Sequence, residues 1–391
     1  MYTILTTTAG PPHGCMNVGD KLIEKRTKEL VSAEKGVSDF LTFFRGEPLD
    51  PHLDAINATR AVLMPGFPVR DTPMYPGTYR LTDDLEQIRV PLIPIGANWN
   101  VYPGDQASRR RVRYSGPTVE FLKRVAAGVE DVSCREYYAC DVLEKHGICN
   151  TRMTGDPAWF DLSSIGKPMH RPNEVRRLVF SPPLSPYYLS QAQDVMRTLT
   201  DLFPDAKLYC AFHLLDAGSA TRSSKHVSSA AMSADVAAKN RDIRTLAGEL
   251  GFDVIQLAGD AENLDFYAGC DLHVGYECHA HLNFFSRRIP SVLIAEDARG
   301  VGFNYTLGVG GLTGFVRAQA ERASVRKTIT SGYCTTQEEL ASAPPKNNLS
   351  EELETFLTHE LESGFRRYAG LASCLDETYE QRMRPFIRSL P

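Results

Sequence analysis

Short apolar runs alternate with stretches of helical period along the whole chain, and this alternation constrains the fold more than any other feature. TILTTT (3–8), RAVLMPG (60–66), VPLIPIGANW (90–99), EDVSCRE (130–136) and residues 150–154 read as strands. RRLVFSPP (176–183), KLYCAFH (207–213), FDVIQL (252–257), DLHVGYE (271–277) and PSVLIAE (290–296) continue the series. Between them, residues 20–33, 117–128, 137–146, 190–202, 235–250, 261–269 and 279–287 carry helical patterns, and 350–368 and 375–388 close the chain as helices. Repeated strand–helix–strand units of this kind build parallel sheets covered by helices.

With 391 residues the chain is too long for one ordinary core and suits two domains. The polar, Pro- and Gly-rich stretch SSIGKPMHRPNEVR (163–176) interrupts the alternation and marks the boundary. The expected organisation is an N-terminal α/β domain over 1–170, a second over 171–345, and C-terminal helices over 346–391 placed to cross back to the first domain. Two Rossmann-like parallel-sheet domains facing across a cleft make a glycosyltransferase-B-like architecture. Ligands of such sheets bind beyond the carboxyl ends of the strands, so strand-to-helix turns hold the candidate residues.

Composition narrows the function. The formal net charge of −5 argues against broad nucleic-acid binding, although 43 Lys and Arg leave room for local basic patches. No apolar run reaches the length of a membrane span and the N-terminus lacks the pattern of a signal peptide, while peripheral attachment stays open. Nine cysteines at irregular spacing, none in a Cys-x-x-Cys pair, read as free thiols of a reduced, cytoplasmic protein.

Four turns carry the candidate chemistry. Asn17-Val18-Gly19-Asp20 opens the first helix, whose free amides favour an anionic or hydroxyl-rich ligand. Asp20 is either a cap or a hydrogen-bond partner for a substrate hydroxyl. Arg135, at the end of EDVSCRE, either clamps a carboxylate or phosphate or pairs with Glu136 or Asp156. Around DLHVGYECHAH, Glu277 ends a strand and His279 and His281 start a helix, where a histidine titrating near neutrality can move a proton. Two residues apart on a helix, these histidines point about 160° from one another, which disfavours a shared metal. His273, within the strand, reads as a core residue, and no metal site is expected. In EDARG, Arg299 is an anion-binding candidate that Asp297 orients. The loop after KLYCAFH brings His213, Arg222 and Lys225 as residues able to order over a phosphate.

The blocks NVGDKLIEKRTKEL, SCREYYACDVLEKHGI, TGDPAWF and DLHVGYECHAHLNFFSRRIPSVLIAEDARGVGF resemble, in order and spacing, the polysaccharide pyruvyl transferase family. The resemblance implies a glycosyltransferase-B fold and transfer of pyruvyl from phosphoenolpyruvate to a sugar, forming a ketal in capsule, exopolysaccharide or other cell-envelope polysaccharide. His279 matches the family's histidine; for such a transfer His279 is expected as general acid/base and Asp20 as a second catalytic residue, with Arg135, Arg299, Arg222 and Lys225 on the anions and Asn17, Gly19 and Asp20 on the acceptor. The family carries Arg two residues before the histidine, whereas this chain has Glu277, a carboxylate that would repel the donor's anions. Glu277 suits instead the ribose or sugar hydroxyl of a nucleotide-sugar donor, the rival reading. A third reading is an inactive saccharide-binding protein on the same fold. The expected partners are a small-molecule donor and a saccharide or lipid-linked saccharide acceptor, with no cofactor. The sequence leaves the oligomeric state and membrane docking open.

Overall fold

Strands buried on both faces need helices on both sides, and the apolar runs of this chain are of that kind. In the computed structural model, which describes residues 1–7, 17–70, 74–214, 234–309, 311–317 and 337–391, all of Tyr2–Thr6 and Ser291–Ala295 is buried. The first sheet takes the order β2-β1-β3-β5, with β1 Tyr2–Thr6, β2 Phe40–Phe44, β3 Val62–Pro65 and β5 Leu92–Ile95. Two short pairs flank it: β4 (Pro68–Val69) with β6 (Asn98–Trp99), and β7 (Val132–Cys134) with β8 (Thr151–Met153). Ala97 stitches the last pair to the sheet, donating to the Ser133 carbonyl (2.7 Å) and accepting from Arg135 N–H (3.0 Å).

The second sheet has six strands in the order β11-β10-β9-β12-β13-β14. They are β9 Arg177–Ser181, β10 Lys207–Phe212, β11 Asp253–Gln256, β12 Leu272–Gly275, β13 Ser291–Ala295 and β14 Gly311–Thr313. Counted from β9, that is the doubly wound order 3-2-1-4-5-6, whose reversal point lies between β9 and β12. Every pairing between these named strands is parallel. The fold is therefore the expected pair of Rossmann-like sheets, of the glycosyltransferase-B type. No helix among the described residues is long and apolar enough to cross a membrane.

The two halves touch through backbone at their strand ends. Val18 N–H donates to the His213 carbonyl (3.2 Å), and Ala298 N–H to the Val101 carbonyl (3.1 Å). Gly104 lies so close that a Cβ there would sit 2.1 Å from Ala298 Cα, at a φ of +80° that disfavours any side chain. The C-terminal helices reach both sheets. The Tyr368 hydroxyl donates to the Ser291 carbonyl (3.0 Å), Arg384 and Arg388 grip Glu34 (2.8 and 2.7 Å), and the Tyr2 hydroxyl donates to the carbonyl of Pro391.

Three elements differ from the sequence reading. Residues 350–368 do not form one helix: Leu349–Glu362 ends because Gly364 and Phe365 adopt left-handed φ values of +60° and +54°, and Phe365 is buried there. The segment 296–300, expected as a loop, enters a helix over Ala298–Leu307 capped by Asp297. Its glycines hid it, yet Gly302 is small because Glu136 presses on it, 2.8 Å from where a Cβ would be. The edge strand β2 is only half-buried and lacks a clear boundary in sequence.

Gly104→Ala should lower unfolding stability by roughly 2–4 kcal/mol in a denaturant titration, since overpacking and left-handed backbone strain combine there. Gly116→Ala, whose new methyl would meet nothing within 4 Å, should stay within about 0.5 kcal/mol of wild type.

Candidate functional site

Two strand-to-helix turns, one from each half, press together to form the centre of the site. In the first, Asn17 caps the helix Val18–Lys35, its side-chain oxygen accepting from Gly19 N–H at 2.9 Å. With Val18 N–H spent on His213, two of the amides that the sequence offered to a ligand are already used. What this turn presents is the half-buried Asp20 carboxyl, bonded by the Thr7 hydroxyl. Burial raises its pKa, against the pull of Arg45, Arg299 and Arg135.

In the second turn, Glu277 precedes the helix Cys278–Ser286, and the His279 ring lies directly over Gly19. A Cβ at residue 19 would fall 2.0 Å from His279 Nδ1, so glycine is required for the two halves to meet. His279 is 7% exposed and its Nε2 has no hydrogen-bond partner among the described residues. Burial first, and the charge of Arg135 second, push its pKa well below the ordinary histidine value. The expectation of a histidine titrating near neutrality is thereby corrected: with no anion beside it, His279 is neutral.

Glu277 is a group that titrates near neutrality. Burial raises its carboxyl to about 7 despite Arg299, and the neighbouring Glu296 and Asp20 add to the effect. Its Oε2 lies 4.0 Å from Nδ1 of His213, a buried histidine that burial pushes down to about 3 and whose Nε2 is bonded to the Tyr267 hydroxyl (2.7 Å). The fixed repelling charge read from the sequence is thus replaced by a carboxyl raised to about 7, which exchanges its proton near neutral pH.

The cations come from both halves. Arg135 is buried, with its guanidinium over the Phe303 ring (4.5 Å) and only Nη1 paired, to Asp156 at 3.4 Å. Its Nε and Nη2 have no partner among the described residues. Buried, unspent guanidinium donors are costly unless something occupies them. Arg299 is held from behind by Asp297, Nε at 3.0 Å and Nη2 at 2.6 Å, and Asp297 also caps the helix by accepting from Arg299 N–H (2.9 Å). Asp20 feels the charges of both Arg135 and Arg299, and His279 does too, which places all four in one region.

Some sequence candidates fall elsewhere. His281 is completely buried on the other side of its helix, bonded to Ser291 Oγ (2.7 Å) and packed on Phe285, so it does not reach the cluster. Arg222 and Lys225 lie outside the described residues. Two acids that the sequence reading left out of the site belong to it. Glu296 accepts from Leu184 N–H and Ser185 N–H (3.0 Å each), and burial together with Asp297 lifts its carboxyl to about 7. Asp156 is buried against Arg135, with burial raising its pKa. Their signal was position: Glu296 follows β13 directly and Asp156 comes three residues after β8. Among the described residues no group of three His, Cys, Asp or Glu side chains gathers in a way that could hold a metal ion.

The sequence matches the family described as polysaccharide pyruvyl transferase over residues 17–297. No curated protein matches it significantly. Among solved structures, it is similar to a UDP-GlcNAc 2-epimerase from Neisseria meningitidis bound to UDP-GlcNAc, at 7% identity, 100% coverage of both chains and a TM-score of 0.50. It is also similar to MnaA of S. aureus with UDP, at 13% identity, covering 97% of this chain and 94% of that one, TM-score 0.47. Anabaena Alr3699/HepE in complex with UDP and glucose gives 13% identity, 99% and 97% coverage, and a TM-score of 0.45. At such identities the likeness speaks for the fold alone.

The contact between the halves is open to a double-mutant cycle. Gly19→Ala alone should cost roughly 1–3 kcal/mol of stability through overpacking. His279→Ala should relieve most of that, giving a coupling above about 1 kcal/mol. Simple additivity would mean that the ring does not sit on Gly19.

Proposed function

The chain belongs to the polysaccharide pyruvyl transferase family, and from that premise we propose that this cell-surface polysaccharide transferase moves pyruvyl from phosphoenolpyruvate to a sugar, closing a ketal. The observation that carries the reading is the pair of unspent, buried Arg135 donors beside Arg299 and the unpartnered Nε2 of His279. A phosphate or carboxylate would satisfy those donors with charge-assisted hydrogen bonds.

The chemistry divides between groups whose surroundings set their protons apart. Protonated Glu277 gives a proton to the methylene carbon of phosphoenolpyruvate as a sugar hydroxyl oxygen bonds to C2. Neutral His279 takes the proton of that hydroxyl. Inorganic phosphate then leaves C2 with the electrons of the C–O bond and takes the proton held by His279, and a second hydroxyl of the same sugar adds to C2 and gives its proton to the Glu277 carboxylate, closing the ketal and restoring both groups. Arg135 and Arg299 bind the donor's anions, and Asp20 orients the acceptor. The glutamate that appeared hostile to an anionic donor is compatible with one, because a bound anion keeps it protonated. As written, the step draws on side chains alone. A lipid-linked saccharide at the cytoplasmic face of the membrane fits as acceptor.

A nucleotide-sugar donor is the second reading, favoured by Glu277 at the end of β12, where an ionised carboxyl could take ribose hydroxyls. Thermal shift separates the two: stabilisation by phosphoenolpyruvate supports the first, and stabilisation by UDP, CMP or GDP alone supports the second. Phosphate release with a panel of saccharide acceptors tests turnover directly. Arg135→Lys should lower kcat/KM by a factor of roughly 100 or more, because a point charge cannot replace the planar fork. No phosphate release with any acceptor would overturn the pyruvyl reading.

Anion binding should take up a proton, since it favours the protonated form of a Glu277 carboxyl already raised to about 7. Sulfate, whose own charge is constant here, should therefore bind more tightly as pH falls from 8 to 6, by at most about tenfold per pH unit for each proton taken up. Glu277→Gln should make that dependence shallower, with Glu296 supplying what remains, as titration calorimetry across the pH range will show.

A further inference from the structure

Behind the site, four buried side chains form a continuous hydrogen-bonded row with no role in the reaction proposed above. Glu277 N–H donates to Ser181 Oγ (3.1 Å), and Ser181 Oγ lies 2.8 Å from His273 Nε2. His273 Nδ1 lies 2.7 Å from Ser291 Oγ, which lies 2.7 Å from His281 Nδ1. All four side chains are buried, His273, His281, Ser181 and Ser291 each at 0% exposure. A row this dry would be replaced readily by apolar side chains if it served packing alone.

The fixed donor sets the direction. A backbone amide can only donate, so Ser181 Oγ accepts from Glu277 and spends its own proton on His273 Nε2. His273 then donates from Nδ1 to Ser291, and Ser291 spends its proton on His281 Nδ1. Only the Nε2–H of His281 is left over, and His281 packs against the Phe285 ring at 4.1 Å between centroids, where a weak N–H···π contact is available. Running the row the other way leaves the Ser181 hydroxyl proton buried and unspent.

Ser181 holds the turn twice. Its carbonyl accepts from Tyr276 N–H (3.0 Å) while its hydroxyl accepts from Glu277 N–H, so two consecutive amides are pinned to the tip of β9. Gly275 is what lets the strands close to that distance, since a Cβ there would stand 2.4 Å from the Ser181 carbonyl oxygen. The Glu277 side chain makes no hydrogen bond to the helix it precedes, so its capping position does not direct the carboxyl and the pinned backbone sets where it starts.

We propose that Ser181, oriented by His273, is a positioning residue that fixes the Glu277 backbone and so aims its carboxyl into the cleft, with Ser291 and His281 completing the row. The inference rests on the proposed role of Glu277, but its first test needs no activity. In the unliganded protein, NMR should show His273 protonated on Nδ1 and His281 on Nε2, with the Glu277 amide protected from exchange. Ser181→Ala should speed exchange of that amide by roughly tenfold or more, the scale of one lost hydrogen bond. Ser181→Thr, which keeps the hydroxyl, should restore the protection. In the transferase assay, Ser181→Ala should lower kcat about tenfold with little change in KM, as misaimed chemistry does. Unchanged exchange at Glu277 in Ser181→Ala, or the opposite tautomers, would overturn the assignment. Changed exchange in a protein that turns over no pyruvyl donor would leave the positioning role standing and remove the proposed reaction.

Discussion

The contact of the His279 ring with the bare backbone of Gly19 is what the site depends on. It closes the carboxyl edge of one sheet onto that of the other, and the backbone bonds Val18–His213 and Ala298–Val101 hold the closure on either side. Closing the edges removes water from residues that would be ordinary surface charges on either half alone. Burial is the leading cause of the raised carboxyls of Asp20, Glu277 and Glu296 and of the lowered pKa of His279. One packing event therefore sets the protonation of both the proposed acid and the proposed base.

That electrostatic setting resolves a conflict between residue type and chemistry. Taken as a charge, Glu277 opposes an anionic donor; taken as a partly buried carboxyl raised to about 7, it suits the proposed role of a proton source that an anion would hold ready. His279 runs the other way, kept neutral by burial beside Arg135. The buried row behind β12 adds a mechanical element, because Glu277 is held by its amide on Ser181 while its carboxyl makes no capping bond to the helix it precedes.

The fold was legible because its signal is long and redundant. Runs such as KLYCAFH and PSVLIAE sit between helices of clear period, and they became β10 and β13. What was lost is local. Half-buried β2 carries no clean pattern, and the helix Ala298–Leu307 contains glycines that close packing requires but that read as a loop. At the site, position after a strand was legible for Asn17, Asp20, Arg135, Glu277, His279 and Arg299. Protonation was not, since it depends on neighbours from the other sheet. The direction of His281 was hidden too: two residues on from His279, it turns to Ser291, a partner from the next strand.

The proposed reaction requires the two facing edges to make a single anion site. A crystal structure of the protein soaked with phosphoenolpyruvate tests it most directly. The predicted result is one bound molecule whose anionic oxygens meet Arg135 Nε and Nη2 and Arg299, with C2 facing His279 Nε2 across the space left for the sugar hydroxyl. A donor bound on one half alone, with those Arg135 donors still unoccupied, would contradict it.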